Sequence, residues 1–163
     1  MSRTGERSES FILTIDASPL PDLQQILRAI EPGVQGLEWR LLDLREAVQP
    51  EPPSDELERI IEAADQAEEG LVSDFGGLLR FADLCEQIVD GLFVGLRPGT
   101  KPPGRSDTDD RILEVSEVVV AVLDSSFWLV AGPDTVLASA RHAFPTATEV
   151  ETGSVVLSTW GRA

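Results

Sequence analysis

Apolar residues along this chain recur with two periods, and the switches between them outline the elements. Phe11-Ile12-Leu13-Thr14-Ile15 is rich in β-formers and is broken by Asp16, which predicts a first strand. Ser18-Pro19 opens a helix whose apolar positions Leu23, Ile26, Leu27 and Ile30 share one face, and Pro32-Gly33 stops it. Leu37 to Leu44, carrying Trp39, reads as a second strand, with a helix over Trp39 to Val48 as the alternative. After the break Gln49-Pro-Glu-Pro-Pro53, Ser54 is an N-cap, with Asp55 and Glu56 suited to the positive helix end. Leu57, Ile60, Ile61 and Ala64 form the buried face of that helix, and Gly70 closes it. Ser73 or Asp74 caps a third helix reaching about Val89, with Phe75, Leu78, Leu79, Ala82, Cys85 and Val89 on its apolar side.

Asp90-Gly91 then reads as a turn and Leu92 to Leu96 as a short strand. Arg97 to Arg111 is rich in proline, glycine and polar residues and is expected to be a mobile loop. Val118-Val-Val-Ala-Val-Leu123 is apolar at every position, which predicts a central strand covered on both faces. Asp124-Ser125-Ser126 turns it into Phe127 to Ala131 as a hairpin. Gly132-Pro133-Asp134 begins a fourth helix with Val136, Leu137, Ala140 and Phe144 on one side, and Pro145 ends it. Thr146 to Glu151 and Val155 to Leu157 are expected to add edge strands. No internal repeat is visible. The order implies an α+β fold: one mixed, largely antiparallel sheet with about four helices packed on it. Residues 1–9 read as a disordered tail and 10–163 as one domain, because neither Pro-rich break leaves a complete core on both sides.

Charge changes this picture more than composition does. Of the residues, 29 are acidic and 13 basic, for a net charge of −16. Such a surplus repels phosphate backbones and anionic membranes, which argues against nucleic acid and membrane surfaces as partners. It favours solubility and attraction to basic proteins. A hydrophobic share of 42% is ordinary for a globular domain. The lone cysteine, Cys85, permits no internal disulfide, and no apolar run reaches the length of a membrane span or an export signal. A cytoplasmic protein is expected. Lys101 is the sole lysine beside 12 arginines. With abundant Ala, Gly, Pro and Leu, that bias fits a GC-rich bacterial genome.

Candidate chemistry is sparse. One histidine, His142, near the end of the fourth helix, has no Gly-x-Ser-x-Gly elbow to serve. Cys85 has Glu86 beside it, which opposes a thiolate. One Cys and one His cannot supply a zinc site, and Asp107, Asp109 and Asp110 lack the glycine and distal glutamate of a calcium loop. No phosphate-cradling glycine motif is present. No metal, cofactor or catalytic residue is therefore assigned.

The most organised polar feature is Glu58, Glu62, Asp65 and Glu69, spaced to fall on one stripe of the second helix. Like charges on a stripe repel by a few tenths of a kcal/mol per neighbouring pair, a cost that a cationic partner relieves. Trp128 is a second candidate, because one face of the hairpin strand has no evident cover. These five residues form the expected partner-binding set, with a plain solvated helix face and core packing of Trp128 as the competing readings.

The run Val118 to Leu123, then Asp124-Ser-Ser-Phe-Trp128, then a short helix ending Ala143-Phe144-Pro145 resembles the C-terminal part of small uncharacterised bacterial proteins. Some of those are similar to immunity proteins found beside polymorphic toxins. Gln87-Ile-Val-Asp-Gly-Leu-Phe-Val-Gly95 is similar in character. The resemblance covers about a third of the chain and rests on structural motifs, a hairpin turn and a helix stop. It carries no catalytic residue, and the loop 97–111 departs from it. It implies a non-catalytic protein that sequesters a basic protein partner. The competing expectations are a structural homo-oligomer, a homodimer among them, and an enzyme working through carboxylates alone.

Overall fold

In the computed structural model, which describes residues 11–151 and Leu157, the chain runs in this order: β1 (Phe11–Ile15), α1 (Leu23–Ile30), β2 (Glu38–Val48), α2 (Asp55–Gln66), β3 (Leu71–Ser73), α3 (Phe75–Leu84), β4 (Gln87–Leu96), α4 (Asp109–Val115), β5 (Val118–Leu123), β6 (Phe127–Ala131), α5 (Asp134–Ala143) and β7 (Thr148–Glu151). A short 3-10 turn, Glu31–Gly33, follows α1. The strands form one sheet in the order β3-β2-β4-β5-β6-β1-β7, and every neighbouring pair is antiparallel. The fold is α+β. The expected tail and most of the expected strand at Val155 to Leu157 lie outside the described residues. No described helix is long and apolar enough to cross a membrane.

The sheet has two unequal sides. Leu13, Ile15, Trp39, Leu41, Phe93, Val118, Val120, Val122, Trp128 and Val130 share a core with α1, α2, α3 and α5. Ile12, Leu42, Leu92, Val94, Val119, Ala121 and Leu129 face the other way, where Ile112 of α4 and Leu157 pack against them. Strict alternation along β5 divides its residues between the two cores, and all six are buried, as an all-apolar central strand requires. The second side is therefore partly covered, contrary to the expectation of a bare sheet face. Its cover comes from a helix that the Pro-rich stretch conceals.

Local chemistry explains the boundaries. Asp22 and Gln25 form a reciprocal capping box, which starts α1 at Leu23, five residues after Ser18. Along β2, Leu41 pairs with Phe93 and Asp43 with Leu92, so Leu42 is an inserted residue. Leu41 and Leu42 enter opposite cores by ordinary alternation, and the extra residue shifts the phase so that Leu44 packs on the same side as Leu41. The ladder settles the strand reading over the helical one. Gly95 lies beneath Trp39, where an added Cβ would stand 3.3 Å from Trp39 Cζ2.

Three expectations fail between residues 84 and 111. The third helix ends at Leu84, with Cys85 extended, and Gln87 to Leu96 is one continuous strand. Asp90-Gly91 is not a turn. Its pairing with β2 on one side and β5 on the other overrides the turn preference of the dipeptide. The Asp90 carboxylate instead accepts from Asp124 N at 2.9 Å. Ser125 N donates to Val89 O, which completes the tie of the β5–β6 hairpin tip to β4. Asp124 and Ser125 both take positive φ at that tip, where Asp is one of the residues that tolerates it. The stretch 97–111 runs into the first residues of α4 and is anchored. Thr108 caps α4 by accepting from Arg111 N, and the segment before it is bonded to α2.

Candidate partner-binding surface

The acidic helix α2 starts as its sequence dictates. Ser54 Oγ accepts from Leu57 N at 3.2 Å, and Asp55, Glu56 and Glu58 occupy the positive first turn. Leu57 and Ala64 are buried, with Ile60 and Ile61 half-buried beside them. That leaves the opposite stripe in water: Glu58, Glu62 and Asp65 are all exposed. Residues 51–69 hold Glu51, Asp55, Glu56, Glu58, Glu62, Asp65, Glu68 and Glu69 against Arg59 alone, so much of the negative surplus gathers on this helix and its flanks.

Arg105 secures the far end of α2. The last turn has no basic residue of its own, and its carbonyls need donors. Arg105 Nη2 donates to Asp65 O, and Nη1 lies 3.5 Å from Ala64 O. Its Nε sits 3.5 Å from Glu68 Oε2, while Arg105 N donates to Glu68 O at 2.8 Å. Ser106 N donates to the Glu68 carboxylate at 3.1 Å. Hydrogen bonds from Ser106, with a smaller pull from Arg105, hold the Glu68 carboxyl below its ordinary range. On the other flank, Arg80 of α3 grips both oxygens of Glu56 at 2.8 Å each. Hydrogen bonding from Arg80 comes first among the causes that hold the Glu56 carboxyl below its usual range.

The acids of α2 and of the turn after it thus divide into two groups. Glu56 and Glu68 are engaged within the protein, and Asp65 touches Arg105 loosely at 3.9 Å. Asp55 in the first turn and Glu58 and Glu62 on the outward stripe have no ion-pair partner among the described residues. Glu69 does not extend the helical stripe, because α2 ends at Gln66. It lies exposed in the turn into β3, where its carbonyl accepts from Arg40 Nη1 at 3.1 Å. Gly70, at φ +82°, redirects the chain into that strand, a conformation that favours glycine.

Trp128 stands apart from these acids. It is 2% exposed, and its Nε1 donates to Pro21 O at 2.7 Å. It packs under the helices, so a partner docking on this conformation cannot reach the indole. The three aspartates of the loop also do different work. Asp107 accepts from Gly104 N, Asp109 is buried and accepts from Leu157 N, and Asp110 is exposed. No described group of three His, Cys, Asp or Glu side chains is arranged to hold a metal ion. His142 is exposed in the last turn of α5. Cys85 is half-buried at the end of α3, and desolvation pushes its thiol up to about 12.

A feature that pattern reading missed lies between α2 and α3. A cleft of about 260 Å³ opens there beside β3, lined by Leu41, Ile60, Leu71, Leu78 and Phe81 and rimmed by the Glu56–Arg80 pair. The three-residue strand β3 is too short to give a period, so the sequence carries no signal for it. Arg105 was legible only as one arginine in a Pro-rich loop. Compared with protein-family models, with characterised proteins and with solved structures, the chain matches none.

Proposed function

We propose that this chain is a non-catalytic acidic binding protein, of the immunity type, that holds a basic protein partner one to one across the outward face of α2. The observation that carries the reading is Glu58 and Glu62. They stand exposed on the outward stripe of α2 with no ion-pair partner among the described residues, whereas Glu56 of the same helix is held by Arg80. A helix held at both ends presents those charges in a fixed array, so little is lost in ordering them on binding. Charges at an exposed rim add only about 0.2–1 kcal/mol each in final affinity. Their larger effect is on encounter, where a focused negative field raises association rates by roughly 10–1000-fold. The resemblance of Val118 to Pro145 to immunity-type proteins supports a stoichiometric role, with α5 and the β5–β6 hairpin as scaffold.

The test is capture on the immobilised chain at low ionic strength, with the Glu58→Lys/Glu62→Lys double variant in parallel. A basic protein retained by the wild type and lost from the variant supports the reading. Retention by both, or of acidic proteins only, contradicts it.

A further inference from the structure

The two ends of the sheet are guarded differently. At one end β7 reads Thr148-Glu149-Val150-Glu151, and its carboxylates discourage another strand from pairing there. At the other end β3 reads Leu71-Val72-Ser73, with no charge and no proline. Its outer side pairs with nothing among the described residues. Val72 is 57% exposed, an unusual setting for a β-branched residue on an open edge. We propose that the β3 edge, together with the α2–α3 cleft beside it, docks an extended segment of a basic protein, which adds to the sheet as a further strand.

The register defines what such a segment meets. Leu71 and Ser73 pair with Leu41 and Trp39, whose side chains face the helices, while Val72 pairs with Arg40 on the other face. An added strand therefore sends alternate side chains toward the cleft and toward the Val72 side. Three residues of edge supply few backbone hydrogen bonds, so residence must come from a side chain, and the apolar walls of the cleft take an aliphatic one. Charge selects the rest. Glu69 and Asp74 bracket β3, and both are exposed. The cation at the rim, Arg80, is already held by Glu56. A segment bearing lysine or arginine fits this surround. A second copy of the chain does not, because it would set the same carboxylates against each other with −16 on each side.

This inference rests on the reading of the chain as a binder of a basic protein, and the experiment separates the two. Two probes are titrated into the labelled protein and followed by amide chemical shifts and hydrogen exchange: a capped heptapeptide of alternating lysine and valine, and polylysine. The heptapeptide is expected to shift and protect Leu71, Val72 and Ser73 and to perturb Ile60 and Phe81. Val72→Lys is expected to weaken it about tenfold, with unaltered thermal unfolding, and Val72→Ile to retain it. If polylysine perturbs Glu58 to Asp65 but the heptapeptide leaves β3 unprotected or ignores Val72→Lys, the edge inference falls and the α2 reading stands. If neither probe binds, both fall. If β3 is protected without peptide and sedimentation shows a doubled mass, the edge is a self-association surface and the inference is overturned.

Discussion

Replacing Arg105 by alanine tests whether the Pro-rich loop is part of the α2 surface. The Arg105 side chain is 29% exposed, and its guanidinium meets two carbonyls at the end of α2 and the Glu68 carboxylate. A hydrogen bond from a charged donor contributes about 1.5–3 kcal/mol when well formed. The contact to Asp65 O qualifies, whereas the one to Ala64 O at 3.5 Å is long. The Glu68 ion pair is partly exposed and adds only about 0.2–1 kcal/mol. Discounted for its access to water, Arg105→Ala should cost about 2 kcal/mol. At this chain length each kcal/mol lowers Tm by about 2–4 °C, so a fall of about 4–8 °C is expected by calorimetry. Faster amide exchange should be confined to residues 64–70 and 104–108. Arg105→Lys keeps the charge but loses the planar fork, and should recover less than half of the loss. An unchanged Tm, or an exchange increase spread evenly over the chain, would refute the claim that this residue closes α2.

Three further outcomes follow from buried groups. Trp128→Phe leaves Pro21 O without its donor and should cost about 1–3 kcal/mol, read as a lower urea midpoint at constant slope; an unchanged midpoint would remove the hydrogen bond from the account. Leu157 is 1% exposed in the second core, so Leu157→Ala should cost about 2–5 kcal/mol by the same assay, and a loss below about 0.5 kcal/mol would show that it does not close that face. The Cys85 thiol, pushed up to about 12 by burial, should react with a disulfide reagent at pH 8 far more slowly in the native protein than in the unfolded chain, and equal rates would contradict its desolvation.

Where a segment carries a strong period, pattern alone located it. The four apolar residues of α1 predicted from spacing are the four that are buried, and the all-apolar run of β5 is the doubly covered strand. The cap at Ser54 was equally legible, and that of α3 was narrowed to Ser73 or Asp74, because a side-chain acceptor before an apolar run has a local physical cause. Errors arose where distant pairing outvotes local preference. Cys85, Ile88 and Val89 continue the helical spacing of α3, yet Glu86 N donates to Val48 O and the chain leaves as a strand. Short α4 has one fully buried apolar residue, Ile112, and so too little pattern to stand out in its loop. For the candidate surface, Glu58, Glu62 and Asp65 were readable from spacing. Glu69 was not, because the helix end at Gln66 depends on Arg105, a contact across the fold. For Trp128 the sequence left core packing and a partner surface both open, because the partner of its indole, Pro21 O, is 107 residues away in sequence.

The central claim is that free carboxylates on α2 draw in a basic partner. Its most direct measurement is the association rate constant of the captured partner by stopped-flow fluorescence from 20 to 500 mM salt, for the wild type and for Glu58→Lys/Glu62→Lys. The account predicts that the wild-type rate falls by about tenfold or more across that range. It also predicts that the double variant starts slower and has a markedly flatter salt dependence, with its fold intact. Equal rates and equal salt slopes for the two proteins would contradict it.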